Sequence, residues 1–360
     1  MLTKWTQERP SFNEFDLHLI KYSRYSRCYP SKQMQYKSAC RSLLCLTRLA
    51  IQNRRYLVAE GVVSKLKSCE ASDFQMQVDK LTEEAKLFWS RGEQNIAKHL
   101  TKKILKMLEQ KQESNLEAAK LYPRVLSMYG NWAAETNLED PNTIMEEYLE
   151  KTVSLLESLE EKGDTILDAY LSLARFADGQ YQHIVNYMKS STFEAKQNLM
   201  TKAKKEITRM QQLGMDNLEK DRYYRTLSKQ SEIDQSELNA MEEDRWRCLK
   251  QAVQNYIKCL KHGDKHDIRI FRLVSLWFSN PTYADISGLI MINMDNIKSY
   301  KFLSLMYQLC ARMDTNPPAD QSPSLQKTLQ KIIHHTAVDH PHHTLFCIFA
   351  LVNAKEIQSY

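Results

Sequence analysis

The chain has 360 residues, 42% of them hydrophobic, enough to bury the core of one large or two ordinary domains. Its 50 basic and 44 acidic residues leave a net charge of +6. These charges are mixed along the chain instead of gathered into the stripe of a nucleic-acid binder. Only 8 Gly and 9 Pro punctuate it, which suits long helices on short connections and leaves little material for phosphate-cradling loops.

Residues 1–31 are weakly patterned and carry Pro10 and Pro30. They read either as a loosely ordered segment or as half of a helical repeat. From about Lys32 a helical period takes over. Leu43, Leu44, Leu46 and Leu49 mark one helix, and Leu57, Val62, Val63 and Leu66 the next. Residues 72–110 predict a helix hairpin of tetratricopeptide type. Leu87, Phe88 and Trp89 lie on its first helix, Gly92 makes the turn, and Ala97 marks the place where the helices touch. Ile96, Leu100, Ile104 and Leu108 are the expected stripe of the second helix.

A second copy is expected over residues 126–156, with Gly130 and Ala133 allowing close packing. Asp140 is the expected N-cap there and Pro141 the first helical residue. Pro123 interrupts an apolar pattern and should kink or end its helix. A third copy is expected at 171–190, with Ala174, Gly179 and Ile184 recurring. Ser191 to Glu194 reads as a capping box, opening a helix that runs to Gly214.

From Asp216 to Gly263 the chain is almost free of breakers and predicts one or two long helices. Leu249, Val253, Tyr256, Ile257 and Leu260 form its apolar stripe, opposite Glu242, Glu243, Asp244, Arg245 and Lys250. A helix over 268–280 should stop at Asn280-Pro281, and another is expected over 301–313. Residues 314–324 hold three prolines and read as a linker. Two helices, 325–338 and 341–354, follow. No strand-period segment of any length occurs. The expected fold is all-α, a superhelical array of stacked helix hairpins. Its expected divisions are 1–31, the array 32–313, the linker 314–324 and a final helical pair in 325–360.

Phosphoryl transfer needs a phosphate loop, a metal-holding acid and a residue that positions the nucleophile. The sequence contains no GxGxxG, no GxxxxGK[ST] and no DFG. Asp221-Arg222 lacks the context of a catalytic loop. The most tempting cluster is His334, His335, His340, His342 and His343, with Cys347 four residues beyond the last. It reads either as a metal site or, more simply, as a helix start in which Pro341 sets the first turn. Lys202, Lys204 and Lys205 read as a solvated helix face before they read as phosphate contacts, and so do Arg245, Arg247 and Lys250 around Trp246. The 8 cysteines are scattered without a CxxC and read mostly as small buried hydrophobes. Met1 is followed by a polar stretch. Cysteine usage points to a reducing intracellular compartment. No catalytic, cofactor-binding or metal-binding residue is assigned.

Several stretches share their wording and order with one family. They are GNWAAET (130–136), YLEKTV (148–153), LSLARFAD (171–178) with QYQHIVNYMKSS (180–191), EDRWRCLKQAVQNYIKCL (243–260), FRLVSLW (271–277), YKFLSLMYQLCARM (300–313) and DHPHHTLF (339–346). From about residue 72 to 354 the chain resembles the C-terminal half of the FAT region of the phosphatidylinositol-3-kinase-related protein kinases, in their ATM-type branch. Residues 1–71 match less and join the array by periodicity alone.

The resemblance implies a non-catalytic scaffold that clamps and restrains a kinase domain and supports a homodimer. It implies a nuclear parent, a Ser/Thr kinase of the DNA double-strand-break response. The implied partners are the parent's own kinase domain, its N-terminal solenoid and DNA-damage-response proteins, with no nucleic acid or membrane contact. ATP and Mg would belong to the kinase domain, and no cofactor is expected in this chain. Trp132, Trp277 and Leu303 are expected to hold the packing together. A free-standing repeat adaptor is the alternative. The last helix argues against it, since Leu345, Phe346, Ile348, Phe349 and Leu351 make it apolar nearly all round.

Overall fold

The computed structural model describes residues 32–68, 73–111, 115–137, 139–213, 218–313 and 323–357. Expectations for residues 1–31, Gly214, most of the linker, Cys28 and Cys69 lie outside them. Among the described residues there are helices and turns and no strand. The fold is the expected all-α array of helical repeats. It divides after Leu159 into two compact units.

The N-terminal unit opens with α1 (Lys32–Gln52), α2 (Tyr56–Ser68), α3 (Phe74–Ser90), α4 (Gln94–Glu109) and α5 (Leu116–Thr136). Helices α1 and α2 pair as one hairpin, α3 and α4 as the next, and α1, α3 and α5 stack in sequence. Turn chemistry sets these joints. Gly92 takes φ 87°, where a side chain would be strained, and lets α3 fold back on α4. Ala97 is fully buried where those helices meet. The buried stripe of α4 is Ala97, Thr101, Ile104 and Leu108. Ile96 is exposed, because a stripe that starts at Ala97 leaves it one residue off the inward face. Leu57 is likewise exposed, whereas Val63 and Leu66 are buried as expected.

Pro123 does not end its helix. It sits within α5, where Leu121, Tyr122, Val125 and Leu126 are buried around it. Their burial offsets the roughly 3 kcal/mol that an internal proline costs. After α5, Asp140 caps as expected, its carboxylate accepting from the Asn142 and Thr143 amides. Pro141 begins the short α6 (Pro141–Thr143). A π-helical stretch, Ile144–Glu150, then leads into α7 (Lys151–Ser158). Its wider turns bury Ile144, Met145 and Leu149 together in a stretch that packs on α5. Gly130 of α5 makes this approach possible. A Cβ there would stand 3.0 Å from Leu149 Cδ2 and from Tyr148 Cβ.

The C-terminal unit is organised by α8 (Asp164–Met188), α9 (Ser191–Leu213) and the 45-residue α10 (Leu218–His262). The breaker-free sequence thus gives one long helix. Gly179 lies mid-helix in α8, so residues 171–188 belong to a single helix and form no third hairpin. The cap of α9 is Ser190, whose hydroxyl accepts from the Phe193 amide at 3.3 Å, one residue before the expected box. Leu249, Val253, Tyr256, Ile257 and Leu260 are all buried, as their spacing predicts. Helices α11 (Arg269–Phe278) and α12 (Ala284–Asn293) follow and pack on α10. The expected helix over 301–313 is split into a 3-10 segment, Ser299–Leu305, and α13 (Met306–Ala311). Trp277 is fully buried and donates to Ser287 Oγ at 2.9 Å. Leu303 is only half-buried, and its neighbours Phe302 and Leu305 carry the packing instead. Helices α14 (Pro323–Asp339) and α15 (Pro341–Ile357) complete the unit.

Polar anchors fasten this unit. Arg272 of α11 grips Asp178 of α8 with two bonds of 2.7 Å, and the Tyr256 hydroxyl of α10 donates to the same carboxylate at 3.1 Å. Burial first, then the charge of Asp178, push the Tyr256 phenol up, so it stays a donor. Lys301 reaches from the 3-10 segment with a side chain that is 0% exposed. Its ammonium donates to the Leu260 and Gly263 carbonyls at 2.8 and 2.7 Å. It also lies 3.1 Å from Asp264 Oδ1 and 2.8 Å from Asp267 Oδ1. A cation thus satisfies carbonyls at the C-terminus of α10, where the helix dipole favours one.

Lys301→Met removes this charge while keeping most of the side-chain volume. It should lower stability by about 1–3 kcal/mol, because the Leu260 and Gly263 carbonyls lose their donor inside the fold. Denaturant unfolding followed by circular dichroism measures this, and an unchanged midpoint would sink the anchor. Asp264 gives a pH signature. Hydrogen bonds from Lys298, then Lys301, pull its carboxyl down from 3.8 to about 2. A folded pKa below the unfolded one adds stability above 3.8, lost as pH falls toward 2. Asp264→Asn should therefore melt lower than the parent at neutral pH. That gap should close on acidification through this window. A gap independent of pH would contradict the assignment.

Candidate functional site: an uncovered apolar helix face

Helix α15 begins where Pro341 sets its first turn, after a junction tied to the rest of the unit. His340 Nε2 lies 3.2 Å from Ser299 Oγ, and the His340 amide donates to the Thr336 carbonyl at 2.9 Å. Thr344 is fully buried and donates to the His340 carbonyl at 2.9 Å. Helix α15 packs on α13 and α14, with Cys347 and Ile348 half-buried. The other side is bare. Leu345, Phe346 and Phe349 are 58%, 79% and 70% exposed. At 3.6 residues per turn these three fall within an arc of about 100°. Large apolar side chains scattered singly are ordinary, whereas two phenylalanines and a leucine on one helix face mark a surface made to be covered.

The preceding helix shows the contrast. In α14, Leu325, Leu329, Ile332 and Ile333 are buried, and Thr328 donates to the Ser287 carbonyl at 3.2 Å. Among the described residues of α14, Val338, near its end, is the exposed large apolar one. The sequence thus foresaw the apolar character of α15, and the structure shows which side is left open. No signal in the sequence separates Phe346 and Phe349, which are exposed, from Ile348, which is partly covered.

The chemistry-bearing residues do not converge. His335 lies 3.6 Å from Asp339, His340 meets Ser299, and His342 and His343 are exposed. Among the described residues no group of three His, Cys, Asp or Glu side chains is placed to hold a metal ion. Cys40, Cys248, Cys259 and Cys310 are buried, while Cys45 and Cys347 are partly exposed. Burial pushes the Cys259 thiol up to about 11 and raises Cys248 and Cys310, which keeps these sulfurs protonated and unreactive. Arg222 lies within the continuous helix α10. Lys202, Lys204 and Lys205 are exposed on α9, and Lys204 bonds Gln235 across to α10 at 2.6 Å. The apolar face offers binding and no bond-making chemistry.

The FAT domain model matches residues 23–275. The serine-protein kinase ATM of Sus scrofa is 38% identical over 345 residues, 94% of this chain and 10% of that protein. The serine/threonine-protein kinase ATM of Arabidopsis thaliana is 32% identical over 289 residues, 77% of this chain and 7% of that protein. The solved FAT and kinase domain of CtTel1 shares the fold with a TM-score of 0.70 at 21% identity, covering 92% of this chain and 22% of that one. The chain spans about a tenth of the length of these curated kinases. It belongs to the FAT domain family, with the ATM and Tel1 serine/threonine kinases among its relatives.

Proposed function

We propose that this chain is the non-catalytic FAT-type scaffold of an ATM-like Ser/Thr kinase, and that the bare face of α15 seats the parent's kinase domain. The observation that carries it is the exposed Leu345, Phe346 and Phe349 on a helix whose opposite side is packed. One similar structure holds FAT and kinase domains in a single chain, and another is a dimer with C2 symmetry. The scaffold restrains the kinase by holding its covered face in place, and a partner that binds the array biases release. By the same reading the parent is a nuclear, homodimeric kinase of the DNA double-strand-break response. ATP and Mg belong to its kinase domain.

Two measurements test this. The kinase domain of the Sus scrofa ATM relative, expressed separately, should bind the purified chain. The double substitution Phe346→Ser and Phe349→Ser should weaken that binding by about tenfold or more, since exposed aromatics at an interface centre carry most of its energy. Helical content should be unchanged. Equal binding by parent and variant would refute the docking face. The chain alone should neither hydrolyse ATP nor phosphorylate a Ser-Gln peptide. Turnover in a radiolabelled ATP assay would overturn the non-catalytic assignment.

A further inference from the structure

Helix α9 and the first half of α10 form an antiparallel hairpin within the C-terminal unit. Lys196 bonds Glu237 at 2.7 Å, Lys204 bonds Gln235 at 2.6 Å, and Gln211 bonds the Tyr224 hydroxyl at 2.9 Å. The inward residues alternate spacings of three and four, the heptad of a coiled coil. Phe193, Lys196, Met200 and Ala203 begin this seam on α9, and Ser231, Asp234, Leu238 and Met241 continue it on α10. The flanks of the pair stay open to solvent, and from Arg222 to Arg247 no residue of α10 is buried.

In an antiparallel pair, the residues that directly precede seam positions on the two helices lie on the same flank. Leu199 precedes Met200 and Ile233 precedes Asp234, and they are 66% and 53% exposed. The bonds from Lys196 and Lys204 set Leu199 opposite the turn of α10 that runs from Ile233 to Glu237. The two side chains therefore make one apolar spot midway along this flank. Lys202 and Arg209 lie on the same flank to one side of the spot, and Glu237 and Asp244 to the other, since each also precedes a seam position.

Charge is sorted along the whole hairpin in the same sense. Toward the end where α9 finishes and α10 begins, α9 carries Lys202, Lys204, Lys205 and Arg209 against Glu206. Arg222, Arg225 and Lys229 of α10 join them, with no acid between Arg222 and Gln230. Toward the other end the sign reverses. Glu232, Asp234, Glu237, Glu242, Glu243 and Asp244 follow on α10 without a base among them, and α9 has Glu194 against Lys196. A polyanion would match the basic half and leave the acidic half and the apolar spot unmatched. The surface that complements all three parts has the same parts in reverse order, and this hairpin turned end for end is such a surface.

We infer that this flank binds the same flank of a second copy, head to tail about a two-fold axis at Leu199 and Ile233. The contact closes an antiparallel four-helix bundle, with apolar side chains at its centre and opposite charges facing at both ends. It names a surface for the homodimer read above and rests on that reading.

The probe is the full chain, followed by sedimentation equilibrium. It should form a dimer whose Kd rises about tenfold or more in the double variant Leu199→Gln, Ile233→Gln, and again as salt is raised from about 50 to about 500 mM. Lys202→Glu with Arg209→Glu sets acid against acid and should leave the chain monomeric. Glu237→Lys with Asp244→Lys sets base against base and should do the same. Helical content should be unchanged in each. Mixing the two charge-reversed variants should re-form a dimer, a rescue that misfolded chains cannot give. A parent chain that stays monomeric at about 100 μM, or a mixture that does not re-form the dimer, would overturn the proposal. So would binding of a DNA duplex that Lys202→Glu with Arg209→Glu abolishes in a chain that does not self-associate, which assigns the basic half to a polyanion. A dimer that all these variants leave intact would overturn this surface alone and leave the homodimer reading standing.

Discussion

Close approach of helix backbones at alanine is the constraint on which both units rest. Ala59, Ala85, Ala97, Ala118 and Ala133 are fully buried in the N-terminal unit, and Ala174, Ala177 and Ala252 in the C-terminal one. A methyl group at a crossing lets the axes come near the lower end of the usual ~8–10 Å. Larger side chains then interdigitate on either side instead of holding the helices apart. Gly130 is the extreme case, where even a Cβ would crowd the π-helical stretch. Around these small residues Leu44, Leu66, Ile104, Leu108, Tyr129 and Leu156 fill the space. Each such burial contributes about 1.5–3 kcal/mol, and none is reachable without the close crossings.

Apolar packing alone leaves helices free to slide, since one leucine fits against another in several registers. The C-terminal unit removes that freedom with polar contacts between helices remote in sequence. Asp178 meets Arg272 and Tyr256, and the Tyr181 hydroxyl donates to Asn280 Oδ1 at 3.0 Å. A slip of one turn would strand the buried members, Asp178, Tyr256, Tyr181 and Asn280, away from water. The penalty for an unpaired buried charge is larger than the gain from making the pair, so such contacts select a register more than they add stability. The stacked Trp89 and Trp132 do comparable work in the N-terminal unit by shape.

This division explains what could be read in the sequence. Helix period, the glycine turn at Gly92, the Asp140-Pro141 start and the buried stripe ending at Leu260 are local, and they emerged as expected. The errors come from tertiary forces overriding local rules. Pro123 sits inside a helix because its neighbours are buried, and Gly179 is an ordinary helical residue because α8 has a long partner in α10 to lie against. The cap slipped from Ser191 to Ser190 because both are serines and only the backbone decides between them. Lys301 was invisible, being one lysine among many, and its role depends on carbonyls 38 and 41 positions away. The apolar abundance of α15 was legible. Its open side was not, since that depends on where α13 and α14 lie.

The fold also connects its longest element to its bare face. Helix α10, about 68 Å at 1.5 Å per residue, is the natural lever of the C-terminal unit. Its end is held by Lys301, whose ammonium binds the last carbonyls. Two residues earlier in the same 3-10 segment, Ser299 meets His340, the residue that immediately precedes α15. One short segment therefore grips the end of the lever with one side chain and the start of α15 with another. A displacement of α10 has to move this segment or break a buried cation away from its carbonyls. Moving the segment moves the start of α15. A domain seated on Phe346 and Phe349 would feel the attitude of a helix whose far end lies many turns away, without any contact between the two.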